Sequence, residues 1–537
     1  MSILSRRNFL ITSSALPVSL WAGKSGGDKI RFGLVPSTHP RLRHPASLED
    51  PLDYLRVRDM VWKAIEYGRP RAGSLEAKIK PGSWVVIKPN IVGLRLNPFY
   101  RTGDVTDFRV TKAVLEYVAS RSKAGRITVA EGGSYRRPGD PEKDNVCMQD
   151  GVHVDARTFD WGTEEFPGFK GSLGEMIAEA QREFPGKKID YVDLSYDAIR
   201  DPSGKFRRIE VARSPNGVGA FGGRPDYFVT NTICNCDFLI SVPVMKVHLQ
   251  SGITCCLKNY VGTAPREAYG IPGAFHNANL HSQHSVEGRI CPFIADLASF
   301  HPPDYVVVDA LRGLQYHEHN IDVADQMIRS NMIFAGEDPV AGDALAARLI
   351  GFNEQDMEFL QMAQQRGMGT LDLRKIEVVG EELDRHVRRW GKPKNWYGRC
   401  NREWRITRDP NAPMSSWARQ TIPTDTLHFD QWAGGSVASG TVFAAAVKVQ
   451  AEGHRKSFLW VGTRGKVIAT LNGEQVMTAE NRTKYRIGQF QQAVDLKPGE
   501  NLLTFRVEAL RAPTDLSALL VSPRNDGDTV EGIRWMA

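Results

Sequence analysis

Between about Asp28 and Gly380, short runs of Val, Ile and Leu alternate with stretches whose apolar residues return every three to four positions. The runs predict strands at Trp84–Lys88, Ile127–Glu131, Tyr191–Leu194, Phe238–Val242, Tyr305–Asp309, Met332–Ala335 and Ile376–Val379. The longer period predicts helices near Tyr54–Tyr67, Phe108–Ser122, Leu173–Phe184 and Val340–Ile350. Strands almost continuous in Val and Ile are expected where helices cover both faces of a sheet. The rhythm therefore predicts an α/β domain with a mostly parallel sheet and flanking helices.

Beyond about Leu427 the period falls to two, and no helix is predicted. Thr441–Val449, Ser457–Val461, Lys466–Leu471, Tyr485–Leu496, Asn501–Glu508 and Leu516–Val521 alternate as in a small all-β antiparallel sandwich. Asn472-Gly473 between two of these runs predicts a hairpin turn, because both residues take positive φ cheaply. The stretch from Glu382 to Thr424 fits neither rhythm and is rich in Arg and Trp (Arg388, Trp390, Trp404, Arg405, Trp417). It is expected to be a connector that packs its Trp residues between two domains. Stacking on nucleic acid is set aside for an exported chain, and an acidic polysaccharide stays open as its ligand.

Export is read from the amino terminus. Ser5-Arg6-Arg7-Asn8-Phe9-Leu10 opens a modest apolar run to Trp21, the pattern of a twin-arginine (Tat) signal. The Tat translocase would then be a partner, and the destination periplasmic or extracytoplasmic, membrane-anchored if the signal stays uncleaved. The formal charge of +7 falls to about +5 once Arg6 and Arg7 are set apart, which permits an anionic ligand without demanding nucleic acid. Seven cysteines without regular spacing do not form a disulfide framework, and no run supports an iron–sulfur cluster.

Unusual polar groups follow the predicted strands: Lys88-Pro89-Asn90, Glu131-Gly132-Gly133, Pro243 to His248, Asp309, and Gly336-Glu337-Asp338-Pro339. In an open α/β sheet the carboxyl ends of the strands are where ligands bind. A lysine at the end of a buried strand must reach water or meet an anion. Three of them, Lys88, Lys246 and Lys258, point to a carboxylate or phosphate ligand, with Asn90 and Asn259 beside them as further ligand-binding groups. His248 can supply acid–base chemistry near neutral pH, and Glu131 and Asp309 are the candidate functional acids. Asp107 and Asp338 each precede a helical pattern and read as N-caps. His276, His281, His284, His317 and His319 are concentrated enough to hold a divalent metal, though each alone also reads as a solvated loop residue. Beyond such a metal the cofactor stays unknown, although Tat export of an already folded chain suggests one loaded before export.

The motifs IKPNIV, TDFRV and VAEGG, and above all DFLISVPVMKVHLQSGITCCLKNYVG from Asp237 to Gly262, resemble the domain of unknown function 362 (DUF362), with VVVDALRG and IFAGEDPVAGDALAARLIG similar to its second half. The resemblance spans about Val85 to Gly380 and attaches no general reaction. LNGEQV and VDLKPGENLLTFRVE resemble galactose-binding-type sandwich modules, which implies glycan as a ligand of that region. The expected organisation is a Tat signal at 1–27, a DUF362-like domain at 28–381, a basic connector at 382–424 and an accessory sandwich at 425–537. Two functions follow: an exported enzyme acting on a small anion, with or without a divalent metal, or a non-catalytic binding protein docked to glycan or envelope by its sandwich.

Overall fold

The computed structural model describes residues 29–71, 73–92, 103–131, 157, 160–161, 171–269, 283–284, 290–318, 325–352, 354, 357–388, 390–393, 403–421, 426–483, 485, 488–525, 530 and 532–536. The Tat-like segment lies outside them. Among the described residues no helix is long and apolar enough to cross a membrane.

The first region is built on an eight-stranded sheet. Its strands are β1 (Ile30–Pro36), β2 (Trp84–Pro89), β3 (Arg126–Glu131), β4 (Lys188–Asp193), β5 (Phe238–Val242), β6 (Tyr305–Leu314), β7 (Met327–Gly336) and β8 (Ile376–Gly380). The order across the sheet is β8-β1-β7-β6-β5-β2-β3-β4. All neighbours pair in parallel except β7, which runs antiparallel to both β1 and β6. Two buried clusters cover the two faces: Val86, Leu239 and Val308 belong to one, Val85, Ile240 and Val307 to the other. That double burial is why these strands lack polar alternation.

The direction of β7 corrects one expectation. Gly336-Glu337-Asp338-Pro339 was placed with the polar groups at the ligand edge, but β7 returns from β6 as an antiparallel strand. Its carboxyl end therefore lies at the opposite edge, where Glu337 meets Arg71 and Lys78. Asp338 accepts from Ala341 N at 2.9 Å and caps a helix with Pro339 in its first turn.

Helix α1 (Tyr54–Tyr67) starts at Asp53, whose carboxylate accepts from Arg56 N. Its buried residues Val57, Met60, Val61, Ala64 and Ile65 form one stripe against the sheet. The stripe comes unusually close to β1, because a Cβ on Gly33 would lie 2.2 Å from Ala64 O. Helix α2 (Phe108–Arg121) is capped by Asp107, which also forms an ion pair with Arg109 at 2.6 Å.

The second region has a seven-stranded and a four-stranded sheet, each of antiparallel pairs. Phe443, Val447 and Phe505 of one share a core with Leu459, Leu516 and Leu520 of the other. The Asn472-Gly473 turn has φ of 53° and 90°, as its hairpin requires. The segment expected to be a connector is divided between the regions. Trp390 packs into the core of the first. Glu403–Thr407 pairs with Val442–Ala451 as a strand of the sandwich, and Trp404 is fully buried there. Trp390 and Trp404 are thus spent inside two cores, whereas Trp417 is half-buried and donates from Nε1 to Ala412 O at 2.9 Å.

Candidate functional site

Where β2, β3 and β5 end, their side chains meet the 3-10 turn Lys258–Thr263. Lys88, one residue before Pro89, and Glu131, the last residue of β3, form a buried ion pair. Lys88 Nζ also donates to Asn259 Oδ1 at 3.0 Å and to Pro89 O at 3.2 Å. An ammonium has three N–H groups, so Lys88 is satisfied by these partners. Asn259 in turn donates to Lys88 O at 2.9 Å and Ser241 Oγ at 3.0 Å. Burial pushes the Lys88 ammonium down, and Glu131 opposes that shift. This arrangement locks three strand ends together rather than presenting a free cation.

Gly262 leaves room for that pair. A Cβ there would lie 2.5 Å from Glu131 Oε1 and 3.0 Å from Lys88 Nζ. Gly262→Ala is expected to cost about 1–3 kcal/mol in urea unfolding through overpacking. A variant within about 0.5 kcal/mol of wild type would show that the pair can move apart freely.

The second lysine is also engaged. Lys246 Nζ donates to Asp104 O and Oδ1, both at 2.5 Å, and both residues are buried. His248, two residues on, has both ring nitrogens occupied. Its Nδ1 accepts from Gln250 N and Ser251 N at 3.2 Å, and its Nε2 lies 3.0 Å from Glu318 Oε1. These contacts place the proton on Nε2 and leave Nδ1 no lone pair for a ligand. The acid–base role expected of His248 therefore has no open nitrogen to work through.

Lys258 differs. It is 8% exposed and has no hydrogen-bond partner among the described residues. Burial lowers its pKa to about 8; Glu318 and Asp104 pull it up, and Lys246 pushes it down. Asn90, just beyond β2, is buried with Oδ1 unpartnered. Asp309 makes a different contribution: its carboxylate accepts from Asp107 N at 2.8 Å and Leu311 N at 2.9 Å. Burial, with Asp107 beside it, raises its pKa to about 7. Its backbone bonds Pro243 O and Met245 N, so Asp309 holds the Pro243–Lys246 turn in place.

Residues 210–348 match the family model described as Domain of unknown function (DUF362). Over these residues the chain is similar to DUF362. The matched segment includes β5, Lys246, His248, Lys258 and Asn259, whereas Lys88, Asn90, Asp104 and Glu131 precede it. The site is thus assembled by the DUF362 match together with the strands before it. No curated protein matches the chain.

Among solved structures, the chain is similar to a β-glucosidase from Kluyveromyces marxianus in complex with glucose, at 11% identity over 22% of this chain and 16% of that one, TM-score 0.17. It is also similar to a family 35 carbohydrate binding module from an environmental isolate, at 15% identity over 19% and 78%, TM-score 0.14. A third is a GH2 β-galacturonidase from Eisenbergiella tayi bound to galacturonate, at 12% identity over 22% and 23%, TM-score 0.16. The chain spans less than a quarter of the length of the two enzymes.

Of the five histidines expected to hold a metal, His284 and His317 are among the described residues. His276, His281 and His319 lie outside the described residues. His284 is buried, stacked on Tyr227 at 3.8 Å, and 3.0 Å from Tyr269 Oη; burial lowers its pKa to about 4. His317 packs instead against Glu318 O and Gln326. The two described histidines share no partner, so among the described residues they do not form a metal site.

Cys255, Cys256 and Asp343 do lie close enough to share an ion. Burial raises Cys255 to about 11, however, and Asp343 already accepts from Cys256 N at 2.6 Å and Leu257 N at 3.0 Å. Protonated thiols against a capping carboxyl are core packing.

Sequence reasoning did not find Asp104, whose pairing decides the state of Lys246. Nothing periodic marks it, and the preference for a buried counter-charge near Lys246 was the one available signal.

Proposed function

We propose that the DUF362-like domain binds a small carboxylate or phosphate at the carboxyl edge of its sheet, with Lys258 as the cation that meets it. The carrying observation is that Lys258 alone of the three lysines is nearly buried without a hydrogen-bond partner among the described residues. An ammonium so placed gains from an anion what it lost on leaving water. Lys88 and Lys246, with Glu131 and Asp104, fix the walls of the site. A pKa of about 8 also lets Lys258 accept or release a proton near neutral pH, which supports acid–base chemistry on the bound anion. The test is calorimetric titration of the full chain with inorganic phosphate and small mono- and dicarboxylates, wild type against Lys258→Met. Binding of one of these that is lost in the variant supports the reading; binding unchanged in the variant rejects it.

Export by the Tat pathway is part of this proposal and is supported by the Arg6-Arg7 motif. Replacing both with Lys is expected to move the chain from the periplasmic to the cytoplasmic fraction of a Tat-competent host, read by immunoblot. Undiminished export of the variant would reject it.

A further inference from the structure

At the opposite edge of the sheet, three groups stand in line. Cys236 ends the short helix Asn231–Asn235 just before β5, and His301 and Asp304 precede the neighbouring strand β6. Cys236 Sγ is 3.7 Å from His301 Nδ1, and His301 Nε2 is 3.2 Å from Asp304 Oδ2. Asp304 is itself anchored: its Oδ2 accepts from Leu239 N at 2.9 Å, its N–H donates to Leu239 O at 2.9 Å, and its carbonyl accepts from Lys78 Nζ at 2.7 Å. Tyr260 donates to the carbonyl of His301.

The contact with Asp304 assigns one imidazole proton to Nε2, which leaves Nδ1 to take the thiol proton. Burial works against the resulting imidazolium, yet Cys236 and Asp304 together hold His301 well above its ordinary pKa. Cys236 Sγ can also donate to Ile233 O at 3.5 Å, so His301 Nδ1 competes with that carbonyl for the thiol hydrogen. Other thiols of the chain provide a contrast. Burial raises Cys255 to about 11, and burial, with Cys236 and Asp197 beside it, holds Cys234 up at about 12.

The surroundings also select the chemistry. Acyl transfer at a thiolate needs N–H donors for the developing oxyanion. The nearest two are already used, since Cys236 N donates to Thr232 O at 3.1 Å and Asp237 N to Trp84 O at 2.9 Å. Attack on sulfur needs no such donors.

We propose that Cys236 is an activated thiol that exchanges with small disulfides, with His301 holding its proton and Asp304 orienting the ring. The Cys236 thiolate attacks one sulfur of the disulfide, that S–S bond breaks, and a new S–S bond forms to Cys236. The other half leaves as a thiolate and takes the proton from His301. Cys236 is oxidised and the leaving half reduced, so the disulfide is the only oxidant required.

The test treats the native full chain with dipyridyl disulfide from about pH 5 to 9 and assigns the modified cysteines by peptide mass spectrometry. At about pH 6, Cys236 should react at least about tenfold faster than Cys255, Cys256 and Cys291. His301→Gln and Asp304→Asn should slow Cys236 about tenfold at pH 6 and much less at pH 9, where the thiol ionises unaided. A structural role would instead alter labelling equally at every pH. The proposal is overturned if wild-type Cys236 reacts no faster than Cys255 at pH 6. It also fails if both variants, with Cys255 and Cys256 still protected, keep the wild-type rate at pH 6. Should a variant unfold and label Cys255 and Cys256 rapidly, the wild-type comparison at pH 6 decides.

Discussion

Lys88→Met and Lys246→Met should each cost about 3–5 kcal/mol of stability, whereas Lys258→Met should add about 1–3 kcal/mol. The three lysines look alike along the chain, and their partners set the opposite signs. Removing Lys88 strands the buried Glu131 carboxylate, and removing Lys246 strands Asp104. Removing Lys258 takes away a charge that burial disfavours and no described residue hydrogen-bonds. The linkage has a definite sign. Lys258 has a folded pKa of about 8 against an ordinary 10.5, so between those values the unfolded chain holds more protons and stability rises with pH. The advantage of Lys258→Met should therefore shrink as pH climbs from 8 to 10. Urea unfolding followed in the α/β region checks all three variants. A loss of several kcal/mol in Lys258→Met would mean that this lysine is a structural partner like the other two. The double variant Lys88→Met with Glu131→Leu should recover most of the single variant's loss, because no buried charge is left alone.

The regular elements of the α/β region were legible because burial on both faces leaves Val and Ile in continuous runs, and helical stripes such as Val57, Met60, Val61, Ala64 and Ile65 keep their period. Strand direction was not. The Met332–Ala335 run of β7 is as apolar as the parallel strands of the sheet, and only pairing with β1 and β6 reveals that it runs the other way. The short strand β1 was also missed, although the chain's rhythm begins there. In the sandwich, Glu403–Thr407 carries Trp and Arg that read as an inter-domain connector until its pairing with Val442–Ala451 puts Trp404 inside the core. The candidate site was legible as a set of polar residues at strand ends but not as a set of pairs. Lys88 and Glu131 are separated by 43 positions, and Lys246 and Asp104 by 142, so chain order cannot say which cation is already neutralised. The same distance hid Cys236, His301 and Asp304, which two parallel strands bring to one edge.

Anion affinity should be highest below about pH 8, fall by up to about tenfold per pH unit above it, and be lost by about 30-fold or more in Lys258→Met. Lys258 is an ammonium below its pKa of about 8 and an amine above it, so the attraction disappears as pH rises. A bound anion favours the charged form and lifts that pKa, so at about pH 9 binding must draw a proton from solution. Titrations in two buffers of different ionisation enthalpy should then give different apparent heats, the difference approaching one proton per ligand. Lys88→Met cannot give this signature: its ammonium is already bonded to Glu131, Asn259 and Pro89, and its loss would act through folding. His248 cannot give it either, since its Nδ1 accepts two backbone N–H groups and its Nε2 faces Glu318. Affinity that stays constant from pH 7 to 9.5, with no proton uptake, would mean that the anion meets some other group and that Lys258 is a bystander. Proton uptake that vanishes in Lys258→Met would locate the anion at this ammonium and make the carboxyl edge of the sheet the place to search for a reaction.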